Sequence, residues 1–195
     1  MSYRGKDKRL IYIPGDLVED VKEISRRRGE SLSLFVSDVL KLAIKANSLG
    51  YSPSEAAEFL DIMQAQRNLG GAFVPKDVLT FLTSTACKAE TEQLATKWYE
   101  SGKWHGKYIN EKFKDPVQAF KKFLEAIRWD LSEVEVRQNH NTVKFRCIST
   151  LINGDATELL AKFIEGVMHN IGYATEKSDA MKGMIILDFK KSVCF

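Results

Sequence analysis

The sequence predicts an α+β fold in three stretches: a strand with two helices over residues 1–48, a linker helix over 49–70, and an α/β unit over 71–195. In the last of these a hairpin, a helix and two further strands make an antiparallel sheet. Three observations lead there. Lys8-Arg9-Leu10-Ile11-Tyr12-Ile13 alternates with period two and stops at Pro14, apolar residues then recur at helical spacing as far as Trp129, and beyond Trp129 the period returns to two.

In the first stretch, alternation sends Lys8, Leu10 and Tyr12 to one face and Arg9, Ile11 and Ile13 to the other, with Ile11 and Ile13 as the inward pair. Pro14 offers no N–H to a ladder and pre-sets the chain for a helix beginning near Gly15 or Asp16. Asp16, Glu19 and Asp20 suit the positive end of that helix and Arg26, Arg27 and Arg28 its negative end, while Leu17, Val18, Val21 and Ile24 form a buried stripe. Gly29 ends it and Ser31 caps the next, which carries Leu34, Phe35, Val36, Val39, Leu40, Leu42, Ala43 and Ile44. That is too many apolar residues for one buried face. A module this small is marginal alone, so a second copy is expected to supply the missing cover.

Charge separates the same stretch from the rest. Residues 1–48 carry ten Lys or Arg against seven Asp or Glu, and residues 49–195 carry nineteen of each, so the whole net charge of +3 sits in the first quarter. A basic excess confined to one small module is the footprint expected for a polyphosphate partner.

The run KRLIYIPGDLVEDVKEISRRRGESLSLFVSDVLKLAIK resembles the ribbon-helix-helix DNA-binding family, the Arc and MetJ type of repressor. Four features carry the resemblance: the alternating strand, the Pro at its end, the turn of Gly29, Ser31 and Ser33, and the apolar second helix. It implies an intertwined homodimer whose paired strands enter the major groove of double-stranded DNA. Lys8, Leu10 and Tyr12 would then face base edges, the N–H groups near Ser31 and Ser33 would hold a phosphate, and Arg4, Lys6 and Arg9 would add sequence-blind phosphate contacts. Leu10 departs from the polar residue that family members more often place there.

Ser52-Pro53-Ser54-Glu55 reads as a capping box opening a helix to about Asn68. Gly70-Gly71 punctuates, Pro75 opens a helix through roughly Tyr99, and Asp115-Pro116 starts another containing Phe120, Phe123, Leu124 and Ile127. Val134 and Val136, then Val143, Phe145 and Cys147, alternate across the polar turn Gln138-Asn139-His140-Asn141 as a hairpin. A helix from Asp155 to Gly172 and strands around Tyr173 to Lys177 and Met184 to Phe189 close the chain.

The runs DPVQAFKKFLEAIRWDLSEVEV and LLAKFIEGVMHNIGYATEKSDAMKGMIILDFK resemble the small-molecule-binding domain named for 4-vinyl reductase, over about residues 70 to 190. The resemblance implies a sensor of a small hydrophobic ligand or a second dimerisation surface. Members often carry a cysteine-rich metal feature near the end; this chain has only Cys194 there, so a metal-dependent version is not expected. Trp98, Tyr99, Trp104, Tyr108 and Phe113 could line the pocket, although aromatics at that density more often build core. His105, beside Trp104, has no second-shell partner visible in the sequence and is read as structural rather than as a haem ligand.

Cys87, Cys147 and Cys194 are far apart with no CxxC pair, and His105, His140 and His169 lack partners at metal-ligand spacing, so reduced thiols without metal or cofactor are expected. No nucleophile with a base, phosphate-cradling glycine loop or paired carboxylates stands out, and no enzyme is expected. Met1 to Arg9 is too polar for a secretory signal and no apolar run approaches the roughly 18 residues of a membrane span, which points to a cytoplasmic protein. The functional expectation is a homodimeric, or higher-order, transcriptional regulator. The competing expectation, to which Leu10 leans, is a protein that organises or partitions DNA with little sequence preference.

Overall fold

The computed structural model describes residues 10–72, 74–84 and 88–192. These form seven helices and one four-stranded antiparallel sheet, a mixed α+β architecture. The chain divides into two compact units, Met1–Glu58 and Phe59–Phe195.

In the first unit, helix α1 covers Gly15–Arg28 and α2 covers Leu32–Ser48. Gly29 stops α1 in the left-handed region at φ 68°, where a side chain would be strained. Its own N–H and that of Glu30 turn back to the carbonyls of Arg26 and Ser25. Ser31 then caps α2 by accepting from the Leu34 N–H at 3.3 Å. Ser25 on α1 and Ala46 on α2 are buried, Val18, Val21, Lys22, Leu32, Phe35, Val36 and Ala43 are half-buried, and the Arg28 guanidinium lies 5.6 Å from the centre of the Phe35 ring.

The rest of this unit departs from expectation. Leu10–Ile13 join no strand, and Lys8 and Arg9 lie outside the described residues. A strand exists only as one side of a ladder, and the described remainder of the unit is helical. Ile11, Ile13, Leu17 and Ile24, expected to be buried, are exposed, as are Leu34, Val39, Leu40, Leu42 and Ile44 on α2.

Helix α3, Pro53–Asn68, opens with the capping box: Ser52 N–H donates to Glu55 Oε2 at 2.7 Å and Glu55 N–H to Ser52 Oγ at 3.2 Å. The second unit continues with α4, Lys76–Ser84, and α5, Lys88–Lys112. The helix expected from Pro75 to Tyr99 is described as α4 and the first half of α5, with residues 85–87 outside the described residues, and α5 runs on to Lys112. Gly102 and Gly106 weaken that extension on local grounds, but α7, described below, lies against both.

Helix α6, Pro116–Ile127, is capped by Asp115, which accepts from the Gln118 N–H. Strands β1, Glu133–Gln138, and β2, Thr142–Ile148, form the expected hairpin. Helix α7, Gly154–Asn170, is capped by Asn153 rather than Asp155, with Asn153 Oδ1 accepting from Ala156 N–H at 2.8 Å. Strands β3, Tyr173–Met181, and β4, Met184–Lys191, complete the sheet in the order β1-β2-β4-β3.

The inner face of the sheet presents Val134, Val143, Phe145, Cys147, Ile185, Leu187 and Phe189. These form one core with Val117, Phe120, Phe123 and Leu124 of α6 and Leu160, Ile164, Val167 and Met168 of α7. The outer face is charged, with Lys144 paired to Asp188, and Arg137 and Arg146 to Glu135. Burial pushes the Cys147 thiol up to about 12, so it stays protonated and packs as a small apolar group.

Candidate nucleic-acid interface and apolar pocket

Of the residues expected to meet DNA, Arg4, Lys6, Lys8 and Arg9 lie outside the described residues. Leu10 and Tyr12 are 81% and 91% exposed, unpacked on their own chain. Ser31 spends its hydroxyl on the α2 cap, and Ser33 is exposed in the first helical turn. Such a turn leaves backbone N–H groups free to receive an anion.

The second unit holds a pocket of about 850 Å³, within the size range of small-molecule sites. Its apolar wall comes from Leu94 and Trp98 of α5, Phe123 and Ile127 of α6, and Leu160 and Phe163 of α7. Leu69 to Ala72, Val74, Pro75 and Leu79 contribute from the loop after α3 and from α4. Trp98 stands edge-on to Phe163 with ring centres 6.3 Å apart.

Two adjoining faces of α5 explain this placement. Leu94, Trp98, Ser101 and His105 recur at three and four residues and line the pocket. Tyr99, Gly102 and Gly106 lie on the neighbouring face against α7, so close that a Cβ on Gly102 would fall 2.2 Å from the Phe163 carbonyl oxygen. The other three aromatics expected in the pocket are elsewhere, and Phe113 is half-buried against the core. Trp104 is 65% exposed, with the Lys107 ammonium 5.8 Å from its ring centre, and Tyr108 accepts a hydrogen bond from Asn68 Nδ2 at 3.3 Å. Trp104 precedes His105 by one residue, a rotation of about 100° away from the pocket, and Tyr108 lies about a turn beyond the last α5 residue that lines it.

His105 is the polar group that sequence reasoning set aside. It is 8% exposed, lines the pocket, and places Nδ1 2.8 Å from the Ser101 carbonyl oxygen four residues back. Phe163 and Phe123 pack against the ring edge-to-face, at 4.9 and 5.5 Å between centres. Gln66 also lines the pocket, and its Oε1 is buried without a hydrogen-bond partner among the described residues. At the rim, Arg128 grips Asp130 through two bonds of 2.8 and 2.7 Å. The spacing Leu94-Trp98-Ser101-His105 was the available signal; what it lacked was any mark of which α5 face meets α7.

A second histidine is tied into the opposite side of α7. His169 Nδ1 lies 2.9 Å from the Tyr99 hydroxyl and Nε2 lies 2.8 Å from Thr175 Oγ1. Burial holds the pKa of both His105 and His169 below the ordinary 6.5; at His105 the Ser101 bond opposes the shift, and at His169 the Glu165 charge does. The folded chain therefore binds fewer protons than the unfolded one as pH falls below about 6.5, and stability should fall with it. Urea midpoints at about pH 7.5 and pH 5 measure this. A His105→Phe variant should lose part of the difference; one with an unchanged difference would show that His105 titrates alike in both states.

Among the described residues no group of His, Cys, Asp and Glu could hold a metal ion, and no helix is long and apolar enough to cross a membrane. No known protein family and no curated protein matches this chain.

Proposed function

We propose that the chain is a homodimeric DNA-binding regulator whose first unit grips double-stranded DNA and whose second unit senses a small apolar molecule. The observation that carries this reading is the uncovered apolar surface of the first unit. Leu10–Ile13, Leu17 and Ile24, and five residues of α2, face outward from the helix pair α1–α2, which lies within residues 1–48, the stretch that carries the chain's whole net positive charge. Exposed apolar surface on this scale in so small a unit calls for a partner surface. A second copy supplies one: its Leu10–Ile13 would pair antiparallel with those of the first, and its α1 and α2 would pack on theirs. The paired ribbon then presents Lys8, Leu10 and Tyr12 together, flanked by the phosphate-receptive turns at Ser31 and Ser33. The pocket in the second unit supports the sensing half, because it is largely apolar, of ligand size and holds a buried oxygen, Gln66 Oε1, with no partner among the described residues.

Fluorescence anisotropy against genomic fragments tests the DNA half. Binding should weaken steeply with salt, the slope of log affinity against log salt growing by about 0.9 for each phosphate neutralised. No binding at low salt would remove the proposal.

Leu10 favours a second reading, a DNA-organising protein with little sequence preference, since a leucine can only pack on a thymine methyl. The two separate on the ratio of affinities for a selected site and for random duplex. A regulator should reach roughly 10³ or more, and a coating protein should stay near unity.

A further inference from the structure

His105 fixes which ligands the pocket accepts. The Ser101 carbonyl oxygen can only accept a hydrogen bond, so the proton between it and the ring belongs to Nδ1. Burial keeps the ring neutral. A neutral imidazole protonated on Nδ1 carries its lone pair on Nε2 and can only accept there. The ring is not free to turn away, because Phe163 and Phe123 pack on it and Ser101 anchors it. Gln66 Oε1, which is buried at this pocket with no hydrogen-bond partner among the described residues, is likewise an acceptor. A buried acceptor left unmet is costly, so an occupant that brings a hydrogen-bond donor into a pocket offering these acceptors is favoured.

We propose that the pocket takes an uncharged, largely apolar molecule that donates an O–H or N–H hydrogen bond to His105 Nε2. This deepens the sensing role proposed above and rests on that reading. The walls are aromatic and aliphatic, which suits a hydrocarbon body. An ionised carboxylate has no proton to give to either acceptor, and the Arg128 guanidinium at the rim is already held by Asp130. Lys97, which also lines the pocket, is exposed, and its charge is screened by solvent.

Three probes of matched shape test this on the full chain by titration calorimetry: 2-naphthalenemethanol, 2-methylnaphthalene and 2-naphthoate. The alcohol should bind about tenfold more tightly than the hydrocarbon, the difference one buried hydrogen bond makes, and 2-naphthoate should bind more weakly than either. His105→Phe keeps the aromatic packing and should abolish the tenfold preference while leaving 2-methylnaphthalene affinity within about twofold. Should that variant misfold, the ¹⁵N shift of His105 Nε2 in the native chain serves instead. It should move on adding the alcohol and stay put on adding the hydrocarbon.

Equal affinity for alcohol and hydrocarbon, tighter binding of 2-naphthoate, or a preference that survives His105→Phe overturns the proposal. If none of the probes binds while DNA is still retarded, the pocket reading alone falls. If the alcohol binds as expected but DNA is not retarded at low salt, the ligand site stands and the regulator reading falls.

Discussion

Replacing Gly166 with alanine should destabilise the second unit by about 3 kcal/mol, the upper end of the usual cost of overpacking. In an exposed helix the same change is stabilising by about 1 kcal/mol, because alanine is the better helix former. Here the added Cβ would lie 2.1 Å from the Tyr99 carbonyl oxygen and 3.0 Å from its carbon. Those are backbone atoms of α5 and cannot swing aside as a side-chain tip can. Gly102 and Gly106 make the reciprocal approach, with Cβ positions 2.2 and 2.6 Å from the carbonyl oxygens of Phe163 and Val167. The two helices can separate only by pulling Trp98 and His105 away from Leu160 and Phe163, so the pocket widens as the crossing loosens.

Thermal unfolding followed by circular dichroism reads the effect. A loss of about 3 kcal/mol in a chain of this size lowers Tm by roughly 6–12 °C. Gly154→Ala, at the start of α7 with nothing within 4 Å of the new Cβ, is the control and should leave Tm within about 2 °C. A Gly166→Ala chain as stable as the native one would mean that the α5–α7 crossing is wider than described.

The double substitution Leu40→Glu, Ile44→Glu should leave a monomer that no longer binds DNA. The two residues sit one turn apart on α2, beside the half-buried Val36, and Ile44 is 70% exposed in the single chain. Two carboxylates at such positions cost little in a monomer, where water reaches them. In a dimer that buries this flank, each would be an unpaired charge costing several kcal/mol, enough to dissolve the pairing. Light scattering should report one chain, and affinity for duplex should drop by more than about 100-fold, since 2.8 kcal/mol of lost association suffices for that. Urea unfolding of the second unit should be unchanged. A substituted chain that stays dimeric and still binds duplex would place the interface elsewhere and remove the reason for expecting a ribbon.

Much of the element pattern was legible because its signals are local. Gly29, Ser31, the Ser52–Glu55 box and Asp115-Pro116 act on backbone groups within four residues of themselves, and each stands at a helix end in the structure. Alternation in Val134–Val136 and Val143–Cys147 likewise marked the hairpin. The pocket was less legible. Trp98, Trp104 and Tyr108 share one helix and similar chemistry, and only Trp98 lines it. Choosing among them requires knowing that Gly102 and Gly106 face α7, a contact between segments about sixty residues apart. His105 was discounted for want of a partner, and its partner is a main-chain carbonyl, which no side-chain pattern displays.

By itself, then, the sequence determined where most helices begin, where strands replace helices and where the positive charge collects, since these follow from short-range capping, periodicity and composition. Only the tertiary structure decided the strand order β1-β2-β4-β3, the α5–α7 crossing, the face of α5 that opens on the pocket and the Ser101 carbonyl that holds His105 Nδ1. Each of those depends on which distant surfaces exclude water together, and the free energy of that choice is spread over many residues rather than written in any one stretch.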